Sequence, residues 1–118
     1  MNFYTLNIGE REFDCRLGTR EVVNLEKVLG TNPLNVLMGM SDNTLPETGI
    51  LLIILHAAGK EDGKKLKMDD WYDLYDEFLA EGKSIADLLE IVMEIFEVSG
   101  LIPKEVEEQD DIKNVEGK

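Results

Sequence analysis

Residues 68–100 read MDDWYDLYDEFLAEGKSIADLLEIVMEIFEVSG, a segment from which the helical part of the fold can be predicted. Its apolar residues recur at the i, i+3, i+4 and i+7 spacing that places them on one side of an α-helix. They form two stripes, one over residues 71–79 and one over residues 85–96. The spacing predicts two amphipathic helices, with Gly82 ending the first and Ser84 capping the second. Because the connection is short, we expect the two helices to pack as an antiparallel pair.

The polar sides of these two predicted helices are strongly acidic. Residues 68–100 contain ten Asp and Glu residues against one basic residue, Lys83, which leaves a net charge of −9. The whole chain of 118 residues has 25 acidic and 12 basic residues and a net charge of −13. We therefore expect a negative surface that favours a basic protein partner and repels nucleic acid and anionic membranes.

The N-terminal residues predict a β-hairpin. Apolar and polar residues alternate on both sides of Gly9, which suits the turn because glycine adopts positive φ without steric cost. A two-stranded hairpin is only marginally stable in water by itself. Its apolar side should therefore pack on helices.

Three further helices are predicted between the hairpin and the acidic stretch. The first has Thr19 as its N-cap, an apolar stripe that includes Val28, and Gly30 at its end. The second is short and starts at Pro33. The third, from residue 46 to residue 59, is apolar on nearly all sides, which predicts a central buried helix. The expected fold class is α+β, mainly α, with an N-terminal β-hairpin packed on a bundle of about five helices.

One domain is the simplest organisation for a chain of this length. We assign residues 1–100 to that domain and residues 101–118 to an acidic tail, in which isolated apolar residues among charges predict disorder. The longest apolar run is far shorter than the roughly 20 residues that a membrane-spanning helix needs. The start lacks the pattern of a secretory signal, and the single cysteine, Cys15, cannot form an internal disulfide. We therefore expect cytoplasmic residence.

The candidate reactive residues do not predict an enzyme. His56, the only histidine, has no nucleophile or metal-ligand motif beside it, so we interpret it as a core or helix-edge residue. Cys15 lies on the apolar side of a strand, where a cysteine behaves as a small hydrophobe. The acidic helices lack the glycine-containing ligand loop of an EF-hand. We therefore expect no catalytic residues, no cofactor and no metal site.

Aromatic and acidic residues on the two acidic helices are candidates for contacts with a partner. Trp71 and Tyr75 fit the buried stripe, whereas Tyr72 falls off it and is expected to be exposed, as interface aromatics often are. The alternative, that all three aromatics belong to the core, stays open. The candidate partner-contact residues are Trp71, Tyr72, Tyr75, Asp73, Asp76, Glu90 and Glu94.

Six short segments follow one another between Phe3 and Gly100. They are RLGTR at 16–20, LEKVLG at 25–30, NPLNVL at 32–37, ILHAA at 54–58, YDLYDEF at 72–78 and FEVSG at 96–100. In order and spacing they resemble the tail assembly chaperones of phages and prophages that infect Gram-positive bacteria. One departure is Lys67, which stands where the resemblance leads us to expect a capping Ser or Thr.

The resemblance implies a non-enzymatic protein that binds the tape measure protein, and also tail tube subunits. It would keep them soluble in the host cytoplasm until the tube polymerises, without entering the mature virion. Such a role needs apolar grooves for helices together with charge that keeps the complex dissolved. The resemblance carries across no catalytic motif and no defined contact residues, and it leaves homo-oligomerisation open.

Two other functions compete with this interpretation. An acidic adaptor or inhibitor could block a basic site on a host or phage protein, for example by mimicking DNA. It would depend on the carboxylates between Asp69 and Glu97, whereas a chaperone would depend mainly on apolar surface. An enzyme that uses Cys15 or His56 is the third hypothesis, and unchanged function after replacement of both residues would remove it.

Overall fold

The computed structural model of this chain describes residues 2–38, 45–59 and 66–102. Two strands form an antiparallel hairpin, and five helices follow them within these residues. The predicted α+β, mainly α, fold class is therefore confirmed. Residues 103–118 of the predicted tail lie outside the described residues. The elements are β1 (Tyr4–Ile8), β2 (Arg11–Cys15), α1 (Thr19–Leu29), α2 (Pro33–Met38), α3 (Thr48–Ala58), α4 (Met68–Ala80) and α5 (Ile85–Val98).

The hairpin follows the predicted alternation. Leu6 of β1 pairs with Phe13 of β2, and both side chains are buried, as are those of Ile8 and Cys15. The turn is tight because Gly9 has a φ of 61°, in the region where glycine is favoured. The buried side of the hairpin packs on α4 and α5, which supplies the helical cover that the sequence requires.

The central element is α3, which contacts α1, α4 and α5. Leu51, Ile54 and Leu55 of this helix are at most 1% exposed, so its nearly uniform apolar sequence is explained by neighbours on several sides. It begins at Thr48, slightly later than predicted, and Gly59 follows its last residue as expected. None of the helices in the described parts of the chain has the length and hydrophobicity that crossing a bilayer requires.

The antiparallel pairing expected for α4 and α5 is not the main contact of either helix. Each packs on α3 and on β1, and the two helices make few contacts with each other. Their apolar stripes are buried in this way, including Phe78 of α4 and Val92 and Phe96 of α5. Because α3 is apolar on nearly every side, both stripes bury apolar surface by packing on α3 rather than on each other.

The start of α1 differs from the prediction by one residue. Thr19 is the first helical residue, and Gly18 is the N-cap. The backbone N–H of Gly18 donates to a carboxylate oxygen of Glu21 at 3.1 Å, so a side chain inside the first turn makes the capping contact. Gly30 ends the helix as predicted, with a left-handed φ of 78°.

Acidic side chains also cap α4 and α5. The backbone N–H of Ser84 donates to Asp87 Oδ2 at 2.8 Å, at the start of α5 predicted from the sequence. The backbone N–H of Lys67 donates to Asp70 Oδ2 at the same distance, 2.8 Å. The Asp70 carboxylate therefore supports the first turn of α4 although position 67 lacks a hydroxyl side chain.

The link from β2 to α1 ties the hairpin to two helix C-termini. The Arg16 backbone N–H donates to Ala58 O at 3.0 Å, and the Arg16 guanidinium donates to Val98 O at 2.8 Å. The Leu17 backbone N–H donates to Ser99 Oγ at 2.8 Å. A guanidinium at a helix C-terminus interacts favourably with the helix dipole. These bonds hold the hairpin against the end of α5.

Candidate functional site

An apolar groove opens between α1 and α3, and we call it the α1–α3 groove. Its volume is about 280 Å³. Val28 is 65% exposed, the largest exposure among the large hydrophobic side chains of the described residues. The groove is lined by Glu21, Asn24, Leu25, Val28, Ile53, His56 and Ala57.

The groove exists because α3 covers only part of the apolar stripe of α1. Leu25 is 2% exposed and belongs to the core, whereas Val22 and Leu29 are half-buried. Val28 fits the same stripe in the sequence but faces the open side. Ala57, on the α3 side, has a short side chain that leaves room above the helix. The result is a surface that buries apolar area only when something else covers it.

His56 lies at the edge of α3 and lines this groove. Its Nε2 atom is 3.2 Å from the carbonyl oxygen of Leu66, just before α4. Since a carbonyl oxygen can only accept, this bond requires the proton on Nε2. Within residues 2–38, 45–59 and 66–102, no group of three or more His, Cys, Asp or Glu side chains is arranged to hold a metal ion. The bond to Leu66 connects α3 to the residues just before α4.

A second groove lies between β1 and α5, and we call it the β1–α5 groove. Its volume is about 390 Å³. Met93 is 41% exposed there, so the groove combines apolar surface with a row of carboxylates. It is lined by Tyr4, Glu90, Ile91, Met93, Glu94 and Glu97.

Tyr4 forms the β1 side of this groove. Burial raises the pKa of its hydroxyl above the ordinary value of 10.0, and the nearby Glu94 carboxylate, Cys15 and the Glu90 carboxylate raise it further. Tyr4 therefore stays neutral at physiological pH. It contributes an aromatic ring and a hydroxyl to the groove without adding a negative charge.

The structure separates the aromatic candidates for partner contact. Trp71 is 1% exposed, and its ring centroid is 5.0 Å from that of Phe13, so it packs the hairpin onto α4. Tyr75 is half-buried beside Phe78, at a centroid distance of 6.1 Å. Tyr72 is 48% exposed and offers its ring to the surroundings of α4. Of the three, only Tyr72 presents a large surface in this conformation.

The acidic candidates fall into two groups. Asp73 and Asp76 are exposed on α4. Glu90 and Glu94 come together in the β1–α5 groove. Tyr4 lines the same groove, although it is more than 80 residues away from Glu90 and Glu94 in the sequence.

Several groove residues were not singled out from the sequence. Met93 and Ile91 lie off the buried stripe of α5. Apolar residues outside the stripe could have predicted an apolar patch on the open side of this helix. Val28 carried no such signal, because it fits the stripe of α1. Tyr4 could not be linked to α5 without the tertiary structure, since it alternates on β1 like any other strand residue.

The fold and these surfaces define a small, mainly helical α+β protein whose described residues form the open α1–α3 and β1–α5 grooves. Residues 2–117 match a family of unknown function, DUF6096, and the chain belongs to this family. No curated protein and no solved structure matches the chain.

Proposed function

We propose that this protein is a tail assembly chaperone of a phage or prophage, which binds the tape measure protein and tail tube subunits and keeps them soluble during tail assembly. The α1–α3 groove is the observation that carries the proposal. It is open and mainly apolar, and Val28 is 65% exposed beside it. Exposed apolar surface of this kind is typical of sites that bind other polypeptides.

The groove suits one side of an amphipathic helix. Leu25 and Val28 are one helical turn apart on α1, and Ile53 and Ala57 are one turn apart on α3. Apolar side chains of a partner helix at i and i+3 or i+4 could lie between these two pairs. A contact of one or two turns is small, and small contacts bind weakly and reversibly. Reversible binding is what a protein needs if it must release its partner to a growing tube.

The acidic outer surface supports the same function. Asp69, Asp73 and Asp76 are exposed on α4, and no α4 residue among those described lines the α1–α3 groove. A net charge of −13 opposes association between complexes. Binding and solubility would then be provided by different surfaces of one small domain.

Co-expression with the tape measure protein encoded in the same gene cluster tests the proposal. We expect this chain to raise the soluble fraction of the long protein, and Val28→Asp to remove most of that gain because it places a charge in the groove. Val23→Asp is the matched control, since Val23 is a 42% exposed valine of α1 outside the groove. Equal soluble recovery with and without this chain would contradict the proposal.

An acidic adaptor or inhibitor is the second candidate function. It is favoured by the exposed carboxylates of α4 and α5, which could occupy a basic site on another protein. The two functions predict opposite rankings of the same variants. A chaperone loses partner binding with Val28→Asp and keeps it with Asp73→Asn combined with Asp76→Asn, whereas an adaptor that uses the α4 carboxylates shows the reverse.

A further inference from the structure

We infer that the β1–α5 groove binds a basic amphipathic helix from another protein. The apolar side of that helix would lie on Ile91 and Met93, and its Lys or Arg side chains would meet Glu90, Glu94 and Glu97. This inference goes beyond the proposed function, because it concerns a different surface and holds for any partner with this chemistry.

The spacing of the three carboxylates matches such a helix. Glu90, Glu94 and Glu97 stand at i, i+4 and i+7 on α5, so they form one row of about 10 Å, or roughly two helical turns. Like charges at this spacing repel one another in the unbound protein. Met93 is 41% exposed beside the row, and methionine adapts well to varied apolar partners.

Within residues 2–38, 45–59 and 66–102, no cation is paired with this row. In the described part of the chain, no hydrogen bond or ion pair engages the side-chain carboxylates of Glu90, Glu94 or Glu97. Lys83 pairs with Glu81 at 3.3 Å, and the Arg16 guanidinium donates to the carbonyl oxygen of Val98. The groove therefore offers three carboxylates to a cation from outside.

Charge excludes the other occupants. Nucleic acid and anionic lipid are repelled by the row, and a second copy of this chain has a net charge of −13. Residues 103–118 of the chain itself contain six acidic residues against three basic ones, so they do not complement the groove. A cationic segment of another protein complements the row. The apolar side chains in the groove favour an amphipathic helix over a purely basic segment.

Tyr4 completes the site from the β1 side. Its hydroxyl stays protonated because burial, followed by the Glu94 carboxylate, raises its pKa. A guanidinium or ammonium group can lie over the face of a neutral aromatic ring in a cation–π contact, here with carboxylates beside the ring. The groove thus offers a bound basic side chain both a carboxylate and a ring.

Designed helical peptides of Lys and Leu provide the test. The full chain is titrated with an amphipathic Lys/Leu peptide, a peptide of the same pattern with Glu for Lys, and a Lys/Leu peptide of scrambled order, by isothermal titration calorimetry. We expect the amphipathic Lys/Leu peptide to bind, the scrambled peptide to bind more weakly and the Glu/Leu peptide not to bind. No binding of the amphipathic Lys/Leu peptide, or equal binding of the scrambled one, would overturn the inference.

Two double variants locate the binding. Glu90→Gln with Glu94→Gln should weaken binding by about 2- to 30-fold, the loss expected for two exposed ion pairs. Glu10→Gln with Glu12→Gln removes the same charge from exposed positions of the hairpin and should change the affinity less than twofold, because these residues lie outside the groove. Equal weakening by both pairs would mean general attraction to an acidic protein and would overturn the inference. Circular dichroism of each variant checks that it is folded.

Discussion

At Gly59, directly after α3, an added methyl group would lie 3.2 Å from Cζ2 of Trp71 and 3.4 Å from the carbonyl oxygen of Leu55. Trp71 cannot easily move away, because it is 1% exposed and packs on Phe13. Because the φ of Gly59 is −90°, its backbone conformation would accept any residue. Packing against Trp71 is therefore what restricts the side chain at this position. Gly49, at the other end of α3, has nothing within 4 Å of the corresponding site.

Gly59→Ala and Gly49→Ala are therefore expected to have opposite effects on stability. Crowding against Trp71 should lower the free energy of unfolding by about 1–3 kcal/mol for Gly59→Ala. The higher helix propensity of alanine should raise it by about 0.5–1 kcal/mol for Gly49→Ala. Urea denaturation of the two variants measures both changes. A Gly59→Ala protein as stable as the Gly49→Ala protein would show that Trp71 has room to shift.

The raised pKa of Tyr4 predicts a loss of stability at alkaline pH. Its pKa in the folded protein is raised above the ordinary value of 10.0, mainly by burial, so the unfolded chain loses this proton first as the pH rises. The stabilising contribution is complete below about pH 10 and decreases as the pH rises toward the folded-state pKa. Tyr4→Phe lacks this proton in both states.

Denaturation at several pH values measures the difference between wild type and Tyr4→Phe. We expect that difference in the free energy of unfolding to be constant below about pH 10 and to shift in favour of Tyr4→Phe above it. The same comparison for Tyr72→Phe reports the effect of removing the hydroxyl of a tyrosine that is 48% exposed. A constant difference for Tyr4→Phe across the whole range would contradict the burial of this hydroxyl.

At the scale of elements, α5 depends on a carboxylate at its start. Asp87 accepts from the backbone N–H of Ser84 at 2.8 Å and from its hydroxyl at 3.2 Å. Asp87→Ala should lower the free energy of unfolding by about 1 kcal/mol, as other lost helix caps do. Asp87→Asn keeps an acceptor and should lower it less. Equal losses for the two variants in urea denaturation would indicate that the negative charge, rather than the hydrogen bond, supports the helix.

The arrangement of helices depends on competition for the apolar surface of α3. The stripes of α4 and α5 are readable from the sequence, and their short connection suggested mutual packing. Both stripes pack on α3 and β1 instead, because those elements present more apolar surface than two half-acidic helices present to each other. A stripe therefore predicts that a helix side is buried, but it does not identify the neighbour that buries it.

At the scale of the whole molecule, the acidic residues are concentrated in one region of the chain. Residues 68–100 have a net charge of −9, and their described carboxylates make one ion pair, between Glu81 and Lys83. Mutual repulsion should therefore lower the stability of the folded state at low ionic strength. This cost accompanies the negative surface that we propose keeps a bound partner dissolved.

Added NaCl should accordingly stabilise the protein. We expect the Tm to rise between about 10 mM and 150 mM NaCl, because the screening length falls from about 30 Å to about 8 Å. Asp73→Asn with Asp76→Asn should show a smaller rise, since two of the repelling charges are gone. Differential scanning fluorimetry measures both curves. A Tm that falls with added salt would mean that attractive charge contacts outweigh the repulsion.

Local patterns were enough to predict the hairpin, the helix ends at Gly30 and Ser84 and the burial of Trp71. Those features follow from side-chain alternation, helical spacing and capping chemistry, which act over a few residues. Tertiary structure alone separated Leu25 from Val28 on one stripe, and brought together Tyr4 and Glu94, which are 90 residues apart in the sequence. The physical reason is that exposure depends on how far a neighbouring element extends over a surface, and long-range packing sets that extent.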